Sequence, residues 1–208
     1  QNPYNIISYK WEGLNPENGN PVGFLNKAKS EDYNGIISGA TWDDLVISGP
    51  AVPVCFGGWR NTFSYHHVSL SFNITYKLGY YFRKSTINYT NLFGSWVGNG
   101  DFEKRWQKPG DEMHTNVPSM IYPADYYRDY FYQESAATVE KGDQVRLQDI
   151  SLTYDVQHGK RQAPLLHFYI YASNLGILWR ANKDGLDPDA NNSYPIPLSV
   201  SAGCKIDL

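Results

Sequence analysis

Apolar and polar side chains alternate along several stretches of the chain. In the clearest stretch, residues 68–80, every second residue is apolar and the residues between are mostly polar or small. Strict alternation of this kind indicates a β-strand with one apolar face. The same pattern predicts strands at residues 56–65, 150–156, 166–173 and 198–208, and a weaker one at residues 4–11. We therefore predict an all-β, antiparallel chain.

One irregularity occurs just before the strand predicted at residues 150–156. Val145 and Leu147 are out of phase with Ile150, although all three are apolar. A single extra residue restores the phase, and such an insertion is a β-bulge. We expect the bulge near Gln148.

The predicted strands are long. Strands of globular proteins usually contain about 5–6 residues, whereas a tilted strand that crosses a membrane needs about 9–11. Several of the alternating runs meet the longer requirement. No apolar run reaches the roughly 18–20 residues of a transmembrane helix, which excludes a helical membrane protein. Strand length favours a transmembrane β-barrel.

The connections between the strands are of two kinds. Those at His66–His67 and at residues 157–164 are short, whereas residues 84–143 and 176–197 form long segments. Outer-membrane barrels have short turns at one rim and long extracellular loops at the other. We therefore expect residues 84–143 and 176–197 to be extracellular loops, with one or two helical turns at residues 124–135. Five or six strands cannot close a barrel of at least about eight, so further strands must lie elsewhere.

Composition narrows the functional classes. The net charge of -3, without a block of like charges, argues against a nucleic-acid partner, which normally binds to a basic stripe. Aromatic residues make up 15% of the chain, which suits strands, membrane interfaces and sugar-binding surfaces alike. Cys55 and Cys204 permit a disulfide, although two free thiols are favoured. No phosphate loop or serine-nucleophile motif occurs, so no cofactor is expected. The start at Gln1, without a signal-peptide pattern, indicates a processed chain or a piece of a longer one.

Seven short segments resemble, in order, those of SusC/RagA-type TonB-linked outer-membrane transporters. No single segment is specific, but their common order along nearly the whole chain is. One departure is the terminal Leu208, where that family usually ends in Phe. The segments are WEGLNPENGNP at 11–21, GGWRNTFSY at 57–65, WQKPGDE at 106–112, GDQVRLQDISLTY at 142–154, YIYASNL at 169–175, GLDPD at 185–189 and VSAGCKI at 200–206.

The resemblance implies a fold, a location and partners. Residues 1–208 would form the C-terminal segment of a 22-stranded transmembrane β-barrel, as an up-and-down antiparallel meander in the outer membrane of a Gram-negative bacterium. The plug and the earlier strands would belong to the absent N-terminal portion of the same transporter, through which TonB acts. A SusD-like surface lipoprotein would cap the barrel, and the cargo would be an oligosaccharide or a peptide. The chain would not be an enzyme.

The alternation within each predicted strand determines on which face of the sheet a candidate residue lies. A charged side chain on the lipid face costs about 2–4 kcal/mol for Arg or Lys at the midplane, so the polar phase should face the lumen. As substrate contacts we select two aromatic, charged clusters in the predicted loops, because aromatic rings stack on sugars. The lumen-facing candidates are Arg60, Lys77, Asp149, Asp155, Tyr169, Tyr171 and Lys205, and the substrate-binding candidates are Tyr126, Tyr127, Arg128, Tyr130, Tyr132, Trp179 and Arg180.

Three alternatives stay open at this point. Asp184, Asp187 and Asp189 have a spacing that suits Ca²⁺, although a turn-forming role is favoured because the bidentate Glu of a calcium loop is missing. A soluble, glycan-binding β-sandwich would explain the alternation if the apolar faces met in a core. A secreted glycoside hydrolase would need two carboxylates about 5–10 Å apart, for which the loop acids are Asp111, Glu112 and Asp129.

Overall fold

The computed structural model describes residues 3–156, 166–190 and 194–206, which form two compact units. One unit contains Gln1–Ala51 and Tyr81–Glu140, and the other contains Val52–Tyr80 and Lys141–Leu208. Within the described ranges no helix has both the length and the hydropathy needed to cross a bilayer. The strands are β1 (Asn5–Tyr9), β2 (Gly13–Leu14), β3 (Pro21–Leu25), β4 (Ala28–Ser30), β5 (Leu45–Pro50), β6 (Cys55–Tyr65), β7 (Val68–Leu78), β8 (Tyr81–Arg83), β9 (Val139–Lys141), β10 (Gln144–Val156), β11 (Leu166–Arg180) and β12 (Ser199–Ile206), and the helices are α1 (Tyr33–Gly39), α2 (Tyr89–Ser95) and α3 (Tyr126–Glu134).

The second unit is a five-stranded antiparallel sheet in the order β6-β7-β10-β11-β12. Each strand pairs with its neighbour among these five, and β6 and β7 are joined by the tight turn at His66–His67. The five alternating stretches thus become five paired strands, so the antiparallel β prediction is confirmed. The predicted short connection at residues 157–164 and the terminal Leu208 lie outside the described residues.

The bulge in β10 is confirmed. Leu147 lies opposite Ile74 of β7, and Asp149 lies opposite the next residue, Asn73. Gln148 is therefore the extra residue on β10. The register of β10 against β11 also shifts between Leu147 and Asp149. Because the extra residue absorbs the change of phase, the apolar residues on both sides of it share one face.

Strand β11 is longer than the sequence predicted. It continues through Arg180, so the predicted loop at 176–197 begins five residues too early. Asn174 and Gly176 have positive φ angles of 58° and 124°, and a second register shift separates Val145 from Arg146. These irregularities interrupt the alternation, which is why the pattern alone ended the strand at residue 173.

The first unit has its own core. Phe131 of α3 is fully buried against Tyr33 and Ile36 of α1, and a second cluster contains Ile87, Tyr89 and Val117. The predicted strand at residues 4–11 is present as β1, which pairs with β5. Helix α3 forms where the sequence predicted one or two helical turns, whereas α2 and several 3₁₀ turns of the segment 84–143 were not predicted. Helices of seven to nine residues are too short to show a sustained 3.6-residue period.

Candidate functional site

The five-stranded sheet has one polar and one apolar face. The pairing of Ser71 with Ser151, and of Ser151 with Tyr171, places one row of polar residues across three strands. The adjacent row pairs Leu70 with Leu152 and Leu152 with Ile170. Because side chains alternate between the two faces of a sheet, these rows belong to opposite faces. We call them the polar face and the apolar face.

The apolar face is uncovered in the described part of the chain. Phe63, Phe168 and Val200 are 60%, 46% and 64% exposed, and Trp59 packs edge-on against Phe72 within the face. A soluble β-sandwich would bury such a face against a second sheet. The described residues do not supply that covering sheet, and the β-sandwich alternative loses its support.

All seven residues predicted to face a lumen lie on the polar face. Arg60 is opposite Asn73, which is opposite Asp149, and Asp155 is opposite His167, which is opposite Lys205. The sheet thus brings together residues that are far apart in the sequence, such as Arg60 and Asp149, which are 89 positions apart. That this face lines an aqueous passage stays a prediction. The seven residues are Arg60, Lys77, Asp149, Asp155, Tyr169, Tyr171 and Lys205.

Asp149 is the most deeply buried charged group of the polar face. It is 3% exposed, and its Oδ2 accepts hydrogen bonds from Arg60 Nη2 at 2.9 Å and Asn73 Nδ2 at 3.1 Å. Its Oδ1 is buried without a hydrogen-bond partner among the described residues. A buried carboxylate is tolerated where paired groups compensate its charge, and here Arg60 is the compensating cation.

Residues 181–190 are attached to the polar face by ion pairs. Asp187 Oδ1 accepts from Arg146 Nη2 at 2.6 Å, and Asp189 accepts from Lys77 Nζ at 2.8 and 2.9 Å. These two carboxylates therefore bind cations of the protein rather than a shared metal. Across the three described ranges no three His, Cys, Asp or Glu side chains converge as metal ligands. The calcium alternative for Asp184, Asp187 and Asp189 is not supported.

The aromatic cluster predicted at 126–132 forms helix α3. Asp125 caps the helix by accepting from the backbone N–H groups of Tyr127 and Arg128. Helical geometry then divides the cluster, because side chains three or four residues apart share a face. Arg128 and Tyr132 are each 2% exposed, so their prediction as substrate contacts is wrong.

Arg128 instead holds the first unit together. Its Nε donates to Asn20 Oδ1 at 2.9 Å, and its Nη2 donates to Ser119 O at 2.8 Å. Its guanidinium group also lies over the Tyr89 ring, 5.8 Å from the ring centroid. Burial raises the pKa of the Tyr89 hydroxyl, which donates to Pro118 O.

The other three tyrosines of α3 remain accessible. Tyr126 stacks on Tyr130 with the ring centroids 6.2 Å apart, and it meets Tyr127 edge-on at 5.5 Å. All three side chains are exposed at the surface of the first unit. A substrate contact by Tyr126, Tyr127 or Tyr130 stays a prediction.

The two remaining substrate candidates, Trp179 and Arg180, are the last residues of β11 rather than loop residues. Trp179 lies opposite Val145 and therefore belongs to the apolar face, where it is half exposed. Arg180 lies opposite Gln144, on the polar face. The two neighbours thus face different environments, and only Arg180 remains on the side that carries the polar network.

The acids of the hydrolase alternative have structural partners. Asp129 is 3% exposed and accepts from the backbone N–H and hydroxyl of Thr90 at 2.7 and 2.8 Å, and burial raises its pKa. Asp111 accepts from two backbone N–H groups of its own turn. Hydrogen bonds from its own backbone N–H and from Trp106 lower the pKa of Glu112. Their bonds identify these groups as turn and cap residues rather than as an acid–base pair.

Both cysteines are free and exposed. Cys55 lies on β6 and Cys204 on β12, the two edge strands of the sheet. Each is paired with a residue of the apolar face, Leu78 and Phe168 respectively. The structure therefore agrees with two free thiols, because the two cysteines lie on opposite edges of the sheet.

Comparison with known proteins finds similarity to a TonB-dependent receptor and to a peptide importer. No family model matches the chain. TonB-dependent receptor P26 from Formosa agariphila is 22% identical over 213 positions, which cover 86% of this chain and 19% of the receptor. The RagAB peptide importer in its open-open state matches with a TM-score of 0.67 at 18% identity, over 97% of this chain and 22% of that one. Its closed-closed state matches with a TM-score of 0.61 over 95% of this chain.

These comparisons confirm the resemblance inferred from the seven segments. The chain spans about a fifth of the length of the curated relative and of the solved structures. The structural matches show that it shares the fold of the corresponding part of those chains. The relatives are named as a receptor and as importers, which agrees with the expectation of a non-enzymatic role.

Proposed function

We propose, from this similarity to one segment of TonB-dependent receptors, that the chain forms part of an outer-membrane importer of nutrients. In this proposal the five-stranded sheet is a portion of the wall of a transmembrane barrel. The apolar face contacts lipid and the polar face borders the aqueous lumen. The remaining strands, up to the 22 of the family, come from other parts of the protein.

The observation that carries the proposal is the uncovered apolar face. Its side chains extend across all five strands, and the strands contain 8 to 15 residues, which suits a tilted membrane span. An exposed apolar surface of this extent is unfavourable in water, whereas hydrocarbon solvates it. The polar face, with its buried Asp149 network, is correspondingly unsuited to lipid.

The same proposal assigns cargo and partners. Residues 84–143 and the segment that follows Arg180 lie on the extracellular side, where they meet the cargo and a SusD-like lipoprotein. TonB energises import through a plug that belongs to another part of the protein. The cargo is a peptide or an oligosaccharide, and the named activity of the RagAB relatives supports a peptide.

Site-directed spin labelling tests which face meets lipid. In the full-length protein, with Cys55 and Cys204 replaced by Ala, labels are placed one at a time at Leu70 and Leu152 and, as matched controls, at Ser71 and Ser151. We expect the Leu positions to be relaxed by oxygen, which concentrates in hydrocarbon, and the Ser positions by a water-soluble nickel complex. Each control neighbours its test position, so depth in the membrane is nearly equal.

Three outcomes would contradict the proposal. Equal nickel accessibility at all four positions would show a sheet surrounded by water. Protection of both Leu positions from oxygen and nickel alike would show a dry protein interior, as the β-sandwich alternative requires. Recovery of the protein without detergent from the soluble fraction would support the same conclusion.

A further inference from the structure

A cavity of about 530 Å³ lies on the polar face where residues 181–190 fold back onto β10 and β11. Its volume falls within the roughly 300–1,000 Å³ that is usual for small-molecule sites. Side chains of both strands and of the following segment line it, so it is built within the five-stranded unit. Its lining includes Arg146, Asn174, Ile177, Arg180, Leu186 and Ile196.

The cations of the cavity are not equivalent. Arg146 donates to Asp187 and also lies 3.8 Å from Asp189, so its charge is compensated. Arg180 donates to the carbonyl oxygen of Gly185, and within the described residues no carboxylate pairs with it. A guanidinium group has five N–H donors and is always charged. The half-buried Arg180 therefore leaves a positive charge and free donors in the cavity.

Beside the two arginines, the lining combines Asn174 and the carboxylate of Asp187, which pairs with Arg146, with several aliphatic side chains. Ile177, Leu186 and Ile196 contribute branched side chains, together with Pro195. No aromatic ring is among the described residues that line the cavity. Sugars usually bind to proteins by stacking on such rings, whereas an aliphatic pocket takes an aliphatic group through burial of apolar surface.

We infer that this cavity binds the C-terminal residue of a peptide, with its carboxylate on Arg180 and an aliphatic side chain against Ile177, Leu186 and Ile196. The guanidinium fork matches the geometry of a carboxylate and can bind it through two parallel hydrogen bonds. The inference rests on the proposed import function for its biological meaning. It selects peptides over neutral oligosaccharides as the cargo and explains why an arginine ends β11 on the polar face.

Calorimetric titration of the full-length protein in detergent tests this site. The probes are N-acetyl-Ala-Ala-Leu with a free carboxylate, the same peptide as its C-terminal amide, and a uronate-terminated oligosaccharide. We expect the free acid to bind at least about tenfold more tightly than the amide, because a charge-assisted hydrogen bond is lost on amidation. In Arg180→Gln this difference should disappear while binding of the amide is retained, which also shows that the variant is folded.

Two further variants separate the parts of the site. Lys183→Gln removes an exposed positive charge from the same segment without touching the cavity, and binding should not change. Ile196→Ser should weaken the Leu-ended peptides several-fold and preserve the difference between acid and amide. Equal loss in Lys183→Gln and Arg180→Gln, equal affinity for acid and amide, or tighter binding of the uronate would each overturn the inference. The binding measurement in detergent does not depend on which face of the sheet contacts lipid. A negative binding result would therefore overturn the peptide site and leave the result of the spin-label test unaffected.

Discussion

Only one of the two carboxylate oxygens of Asp149 accepts hydrogen bonds from the described residues. Arg60 and Asn73 both donate to Oδ2, and Arg60 itself keeps 54% of its side chain exposed. The two members of the ion pair are therefore unequal. Loss of Asp149 leaves a solvated arginine, whereas loss of Arg60 leaves a buried carboxylate, which is the more costly state.

The first prediction follows from this inequality. Arg60→Ala should lower the free energy of unfolding by about 1–3 kcal/mol, because the buried carboxylate keeps only the neutral donor of Asn73. Adding Asp149→Asn, which removes the stranded charge at nearly constant volume, should restore about half of that loss. Chemical denaturation of the full-length protein in detergent measures both values. A double variant whose loss equals the sum of the two single losses would contradict the prediction.

For single residues, the sequence predicts the face of the sheet on which a side chain lies better than it predicts the contacts of that side chain. The strand phase was sufficient to assign Arg60 and Asp149 to one face. The role of Arg128 was not accessible in this way, because its partner Asn20 is 108 positions away and only the folded first unit brings them together. In the sequence, an arginine among tyrosines suggests an exposed cluster. In the structure Arg128 is buried and has a structural role.

Among the elements, β10 is the strand on which the sheet depends. It pairs with β7 on one side and β11 on the other, and its bulge at Gln148 keeps Leu147 and Ile150 on the same face. Leu147 and Ile150 are three positions apart, an odd number that would place them on opposite faces of a regular strand. The bulge was predictable because alternation has a period of two, so a single insertion is visible as a change of phase.

Deletion variants test the role of the bulge. Removal of Gln148 leaves Leu147 and Ile150 two positions apart, so all apolar residues of β10 keep their face and the sheet should still assemble. Removal of Ser151 is the matched control, since it moves Leu152, Tyr154 and Val156 to the polar face. That control should cost several kcal/mol more, given about 1.5–3 kcal/mol for each large apolar side chain. Similar yields of folded protein from membranes for both deletions would refute this explanation of the bulge.

For the molecule as a whole, the two units differ in how far the sequence describes them. The sheet was predicted nearly strand by strand, because each strand carries its own pattern of exposure. The first unit is stabilised by contacts between distant segments, such as those of Phe131 with Tyr33, and by helices of seven to nine residues. No local period encodes that arrangement, so residues 84–143 were predicted as a loop with only one or two helical turns.

If the apolar face contacts lipid, an arginine on that face should destabilise the protein far more than an arginine at the adjacent position on the polar face. Phe72→Arg should destabilise the full-length protein by about 2–4 kcal/mol, the cost of a cation on the lipid face near the midplane. Ser71→Arg, one residue earlier on the polar face, should cost much less. Phe72→Ala separates the lost ring contacts with Trp59 and Phe63 from the cost of the charge. Equal effects of the two arginines in unfolding from lipid vesicles would argue against a membrane-embedded sheet.

The long insertion between β7 and β10 is tied at its base. Gly142 N donates to Tyr80 O, Lys84 N donates to Thr138 O, and β8 pairs with β9 between them. The entropy of closing a loop grows only with the logarithm of its length, and this stem holds the two ends of the segment together. The register of β7 against β10 is therefore insensitive to the length of the segment whose ends the stem holds together.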